Sequence, residues 1–218
     1  DAAGSYRLRM FSPQKEVPFA GHPSIGTAHA VLEAALAVPI DGLLVQDGIA
    51  GMLPLRVEGD GLQRTIAIRT PRASVAEVVE PTDRRLTSAL QGWPLGTLPP
   101  ARMQGGRSWW VVELSDETSL RALQPDWNAV AALAESTDSM GVFAYARCSA
   151  QPWDLAVRAF VGNGRRFEDA ASGAANAVLA AWLDERGALP GGRREYVVSQ
   201  GREVGHDARL HLHVDAEG

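Results

Sequence analysis

Residues 172–183 (SGAANAVLAAWL) constrain the chain most. Their composition favours a helix, continuing to about Glu185 with Gly187 placed as a left-handed cap, yet they have almost no polar face. A helix that is apolar nearly all round must be covered on most of its sides. A second alanine-rich helix is expected from Gly21, with Ile25, Ala28, Val31, Leu32 and Ala35 at helical spacing and Pro39 ending the run. Segments 28–36 (AHAVLEAAL) and 175–183 (ANAVLAAWL) agree at six of nine positions. This likeness is either the chance similarity of alanine-rich helices or the trace of an internal duplication. A duplication implies two similar lobes, each a curved sheet around one central helix, with a ligand cleft between them.

Strand patterns surround both helices. Residues 6–11 (YRLRMF) alternate apolar and basic side chains, the signature of a half-buried strand, and a turn is expected at 12–16. Short strands are expected at 43–46, 51–57 and 64–70, separated by Asp47-Gly48 and by Gly59-Asp60-Gly61. A short helix at 83–91 leads into a proline- and glycine-rich stretch, 93–106, which is the best internal boundary. It divides the chain into an N-terminal lobe, 1–98, and a C-terminal lobe, 99–218. In the second lobe the pattern gives strands at 108–114, 141–146, 153–160, 195–200 and 209–215, with helices at 126–135 and 172–185.

Composition removes several function classes. The chain has 218 residues, 45% hydrophobic and 22% charged, an ordinary globular balance. The net charge of −5 is spread along the chain with no basic run, which argues against a nucleic-acid partner. Cys148 is the only cysteine, so an internal disulfide, a four-cysteine zinc site and any two-cysteine mechanism are excluded. Lys15 is the only lysine, so Schiff-base chemistry would rest on that one residue. The longest apolar stretch, 28–45, is interrupted by Glu33, Pro39 and Asp41 and cannot span a bilayer. No basic segment leads into an apolar one as in a signal peptide. A cytoplasmic protein with no membrane partner is expected. The chain opens at Asp1 without an initiator methionine, which sets the expectation of an earlier start in the natural polypeptide.

Two segments at helix starts carry the candidate chemistry. In residues 18–27 (PFAGHPSIGT), Gly21 permits close backbone approach, and the helix start favours an anionic group. His22 is either a proton carrier there or a helix-cap residue tied to a neighbouring carbonyl. In residues 168–176 (EDAASGAAN), two acids precede a helix. They are either N-terminal caps, or one of them carries a proton while the N–H groups of Ser172, Gly173 and Ala174 hold a substrate carboxylate. His211 and His213 share a strand face that is either solvated or a metal site lacking a third ligand. Ser24 and Ser172 lack a hydrolase nucleophile context. Trp109 and Trp110 point to opposite faces of a strand, and Cys148 is expected to be an inert thiol. Arg7, Arg9, Arg158, Arg165 and Arg166 are the cations available to an acidic group.

Residues 7–32 (RLRMFSPQKEVPFAGHPSIGTAHAVL) resemble the first signature of the PhzF-like phenazine-biosynthesis family, Arg-x-Phe-x-Pro followed by Glu-x-Pro-Phe and Gly-His-Pro/Ala-Thr. Residues 167–183 are similar to its second signature, Glu-Asp-Pro-Ala-Thr-Gly-Ser-Ala and an apolar helix. Segment 120–133 resembles its Leu-x-x-Leu-x-Pro-Asp stretch, and 199–214 (SQGREVGHDARLHLHV) its Gln-Gly ending. The resemblance implies an α+β, diaminopimelate-epimerase-like fold of two lobes, each a barrel-like sheet around a helix. It also implies a cofactor-independent isomerase that moves a proton on a small, carboxylate-bearing, amino-acid-like substrate, and a homodimer. No metal is expected. His22 and Asp169 become the catalytic candidates, and Gly21, Ser172, Gly173 and Ala174 the substrate-binding ones. Related racemases use a cysteine in each lobe, where this chain has Ala20 and Ser172. Ala170, Ser172 and Ala174 depart from the family's proline, threonine and serine. The family's general acid/base glutamate lies in a Ser-Glu-Thr-like segment upstream of the strand near Tyr6, and this sequence does not contain that segment. It is expected in an N-terminal piece preceding Asp1. The alternatives are substitution by another carboxylate or a non-catalytic small-molecule-binding homodimer.

Overall fold

The computed structural model describes residues 4–11 and 16–215, and the expected turn at 12–16 and Lys15 fall largely or wholly outside them. The chain divides into two compact units, residues 1–71 and 72–218.

In the first unit, β1 (Ser5–Arg7), β4 (Leu43–Gly48), β5 (Gly51–Glu58) and β6 (Thr65–Ile68) form one sheet in the order β1-β4-β5-β6. β1 runs parallel to β4 and the other pairs are antiparallel. β2 (Met10–Phe11) and β3 (Glu16–Val17) make a separate two-stranded ribbon. The expected single strand at 6–11 is thus two strands. Strict alternation on β4 and β5 turns Leu44, Leu55 and Val57 inward, where they pack with Ala28 of α1 (Gly21–Glu33). The helix ends at Glu33, ahead of the stop expected at Pro39. The N–H of Leu36 reaches the carbonyl of Val31, and Ala35 turns left-handed at φ 51°.

Burial of α1 differs from the sequence reading. Only Ser24 and Ala28 are buried along it, and His22, Pro23, Gly26, His29 and Ala30 are exposed. Four strands in one layer cover one side of a helix. Alanine gives helix propensity without requiring burial.

The second unit carries the large core. Its sheet runs β14-β13-β11-β10-β9-β8-β7, where β7 is Ser74–Val78, β8 Ala101–Gly105, β9 Arg107–Glu113, β10 Gly141–Arg147, β11 Leu155–Val161, β13 Glu195–Gln200 and β14 Ala208–His213. β9 and β10 are parallel, as are β11 and β13. One edge of β11 is shared: β13 pairs with residues 155–157, and β12 (Phe167–Asp169) pairs with residues 159–161.

Both faces of the sheet are covered, so β9, β10 and β11 read as nearly continuous apolar runs. On one face lies α4 (Gly173–Glu185), whose Val178, Leu179, Trp182 and Leu183 pack against Trp109, Phe143, Tyr145 and Val157. The helix touches β7 and β14, the two ends of the sheet, so the sheet bends around it without closing into a barrel among the described residues. Helices α2 (Glu117–Ala122) and α3 (Trp127–Ser136) cover the other face, over Trp110, Val142, Ala144 and Phe160. Trp109 and Trp110 therefore enter opposite cores, as the strand alternation requires.

The helix expected at 83–91 is a chain of turns, with Leu86 and Leu90 buried under the second core. The division between units falls at Pro71 and Arg72, whereas the sequence reading put it near 98. The stretch 93–106 is held inside the second unit by the buried carboxylate of Glu113, which accepts the N–H groups of Thr97 (2.9 Å) and Leu98 (2.7 Å). β7, β8, β12 and α2 have no counterpart in the sequence reading. The two helices should respond differently to substitution. Leu179→Ala should lower the unfolding free energy by about 2–5 kcal/mol, while Ala30→Gln should change it by less than about 0.5 kcal/mol, both read from urea titrations.

Candidate functional site

The second unit builds its polar centre where β12 runs into α4. Arg158 on β11 is 4% exposed. Its Nε and Nη2 make a two-pronged pair with Glu168, at 2.9 and 2.7 Å. Its Nη1 reaches the carbonyls of Leu120 (3.2 Å) and Leu123 (2.7 Å) at the end of α2, where a cation is favoured. Arg121 of α2 continues the network to Glu117 (2.8 Å), Glu203 (2.9 Å) and Ser199 (3.0 Å). Of the two acids in the motif, Glu168 is therefore structural.

Alternation along β12 sends Asp169 to the other side from Glu168. A carboxylate oxygen of Asp169 accepts the N–H of Ala171 at 3.2 Å. Ser172 caps α4, its hydroxyl accepting the N–H of Ala175 at 3.3 Å. The backbone N–H of Ser172 donates to Oε1 of Gln200 at 3.1 Å. That N–H, expected to face a substrate, is engaged by Gln200 in this structure. Gly173 and Ala174 donate to no described acceptor, and they are the two N–H groups left open at the helix start. Ala174 brings no hydroxyl to that place.

In the first unit, Gly21 and His22 are the first two residues of α1 behind an Ala20 cap that makes no side-chain bond. The imidazole of His22 is exposed and makes no hydrogen bond among the described residues, so it is not tied to a carbonyl as the cap reading required.

Four of the other candidates already have side-chain partners, while Arg165 is exposed. Arg7 pairs with Asp47 and Arg9 with Glu16, each at 2.9 Å. Arg166 reaches Asn128. His213 meets Glu195 at 2.9 Å while His211 is exposed. No group of three or more His, Cys, Asp or Glu among the described residues is placed to hold a metal ion. Burial, with the Glu117 carboxylate adding to it, pushes the Cys148 thiol up to about 12. A thiolate is the reactive form, so Cys148 should react slowly with a disulfide reagent at pH 8 and fast once the chain is unfolded in urea.

Sequence reasoning passed over Gln200, Asn176 and the role of Arg158. One signal was available in the sequence. An arginine inside the apolar run 153–160 must be paired if buried. Gly201, after Gln200, has a φ of 89°, and a Cβ there would come within 2.3 Å of the Ala170 oxygen. The strand end carrying Gln200 is thus pressed against the loop before α4.

The whole chain, residues 1–218, matches the family described as phenazine biosynthesis-like protein, PhzC-PhzF. The chain belongs to that family. It is 28% identical over 228 residues to the trans-2,3-dihydro-3-hydroxyanthranilate isomerase of Pseudomonas aeruginosa, covering 99% of this chain and 72% of the relative. It is 26% identical over 215 residues to antisense-enhancing sequence 1 of Schizosaccharomyces pombe, covering 96% and 71%. Among solved structures, a PhzF-family protein of Bacillus anthracis matches with a TM-score of 0.74 at 19% identity, over 97% of this chain and 73% of that one. A hydroxyproline epimerase of Agrobacterium vitis matches at 0.59 and 14% identity, over 94% and 65%. The fold is the α+β fold of these proteins. The bacterial relatives with an activity in their names are isomerases, and this chain is one of that isomerase family.

The buried pair tests the account of the site's frame. Arg158→Met should cost about 3–5 kcal/mol by leaving Glu168 buried and unpaired, and adding Glu168→Leu should return part of that loss. Urea titrations of the single and double variants read both numbers. A negligible effect of the single change would contradict the frame.

Proposed function

We propose that this member of the family is a cofactor-independent isomerase that shifts a proton on a small, carboxylate-bearing, amino-acid-like substrate. One observation carries the reading. Asp169 lies just before α4, and the first two N–H groups of that helix, those of Gly173 and Ala174, meet no acceptor among the described residues. A helix start with open N–H groups suits a carboxylate, and a carboxyl group next to it suits proton transfer. In this reading Gly173 and Ala174 hold the substrate carboxylate, while Ser172 serves as the cap that shapes the helix start. Asp169 receives or returns the proton, and His22 and the Gly21 N–H stay the candidate proton-transfer and binding groups of the first unit. A positioned acid or base contributes about 10²–10⁴-fold in rate. We take the working protein to be a cytoplasmic homodimer with no nucleic-acid or membrane partner; no helix among the described residues is long and apolar enough to cross a membrane.

The substrate named for the Pseudomonas aeruginosa relative, trans-2,3-dihydro-3-hydroxyanthranilate, is the first probe. Incubated in D2O with the full native polypeptide, it should be converted with deuterium appearing at the carbon that gains a proton, as read by NMR. Asp169→Asn should lower kcat by about 10²–10⁴-fold. Equal turnover in the Asn variant would remove Asp169 from the chemistry.

A second reading has one observation in its favour: Ala174 offers a methyl group where the family signature has serine. The protein would then bind a small carboxylate without converting it. Binding of the probe with no deuterium incorporation would select that reading.

A further inference from the structure

Gln200 ends β13 with its side chain fully buried, at 0% exposure. Its Oε1 accepts the Ser172 N–H at 3.1 Å and the Asn176 Nδ2 at 3.0 Å. Its Nε2 donates to the backbone carbonyl of Asp169 at 2.8 Å. Asn176, also buried, closes the ring by donating from Nδ2 to the Ser172 carbonyl at 2.9 Å. A buried carboxamide is costly unless its polar atoms are satisfied, and an apolar side chain of similar volume would fill the same space without that cost. Here each polar atom of the carboxamide binds the segment that leads from Asp169 into α4.

We propose that Gln200 is a positioning residue for the isomerase reaction: through the Asp169 carbonyl it sets where that carboxylate stands, and through the Ser172 N–H it sets which N–H groups of α4 stay open. The inference rests on the reading of Asp169 and the α4 start as working groups. The two functions sit on different atoms. The Nε2 bond fixes the residue that carries the acid. The Oε1 bonds hold the helix cap and consume the Ser172 N–H, so that an anion meets Gly173 and Ala174 alone. Gly201 adds to the hold, because its lack of a side chain lets the β13 end press against Ala170.

Two substitutions separate the functions. Gln200→Glu, studied at pH 8, keeps the acceptors for Ser172 and Asn176 and removes the donor to Asp169. Gln200→Met removes both. Each variant is assayed with trans-2,3-dihydro-3-hydroxyanthranilate, well below its own unfolding midpoint. In Gln200→Glu, kcat should fall about 10- to 100-fold, the cost of a misplaced catalytic group, with KM within about 3-fold of the original. In Gln200→Met, kcat should fall likewise and KM should rise by about 10-fold, because the carboxylate-binding start of α4 is released as well. Folded variants that keep the original kcat and KM would overturn the proposal. So would losses that only follow the unfolded fraction. Should the unaltered protein fail to convert the probe, that compound is removed as the substrate on that result alone. The hold of Gln200 is then read from the carbonyl shift of Asp169 and the amide shifts of Gly173 and Ala174. These should move in Gln200→Met while those of α3 stay fixed, and shifts that do not move would overturn the proposal.

Discussion

A guanidinium buried to 4% exposure must find partners for the N–H groups it takes out of water, and each of the three Arg158 side-chain nitrogens finds one at a junction of three elements. Glu168 brings in β12, and the carbonyls of Leu120 and Leu123 bring in the end of α2. The pair is of the kind whose loss is costly because the remaining charge stays buried. Its consequence lies one residue away. Successive side chains on a strand point to opposite faces, so fixing Glu168 toward α2 fixes Asp169 away from it. From the next strand, Gln200 holds the backbone of Asp169 and Ser172. The acid and the helix start are thus framed from two sides by buried polar groups: Arg158, which ties Glu168 to the end of α2, and Gln200, which binds Asp169, Ser172 and Asn176 directly.

The sheet's topology explains where this frame can form. β11 gives the first part of one edge to β13 and the last part to β12. The place where its partner changes is where the end of β13, at Gln200 and Gly201, meets the loop before α4. An exposed or uniformly paired edge would offer no such meeting of chain ends. α4 then runs back beneath the bent sheet, and its apolar surround supplies the rigidity that its first turn borrows.

Much of this was legible in the sequence. The apolar character of residues 172–183 called for a covered helix, and Val178, Leu179, Trp182 and Leu183 are buried as expected. The same expectation fails for α1, because alanine satisfies a helix whether or not anything covers it, and one layer of four strands covers a single side. The turns at 83–91 carry the apolar spacing of a helix in Leu86 and Leu90 but meet a core shaped by α2 and α3, so burial is achieved without helical continuity. The stretch 93–106 looked like a linker by its prolines and glycines. It is tied down by the pairing of β8 and by one buried carboxylate, Glu113, which accepts two backbone N–H groups that no spacing rule displays. For the candidate site, the second signature points to the start of α4, while the hold of Gln200 on it was hidden. A hydrogen bond to a backbone 28 or 31 residues away leaves no local pattern.

The central claim is that the start of α4, framed by Arg158 and Gln200, is where a small carboxylate binds next to Asp169. Amide shifts of the isotope-labelled full chain during titration with trans-2,3-dihydro-3-hydroxyanthranilate test it most directly. The account predicts that the largest and saturable changes fall on Gly173 and Ala174, with the Ser172 amide moving little because Gln200 already holds it. Saturable changes elsewhere, with Gly173 and Ala174 unmoved, would contradict it.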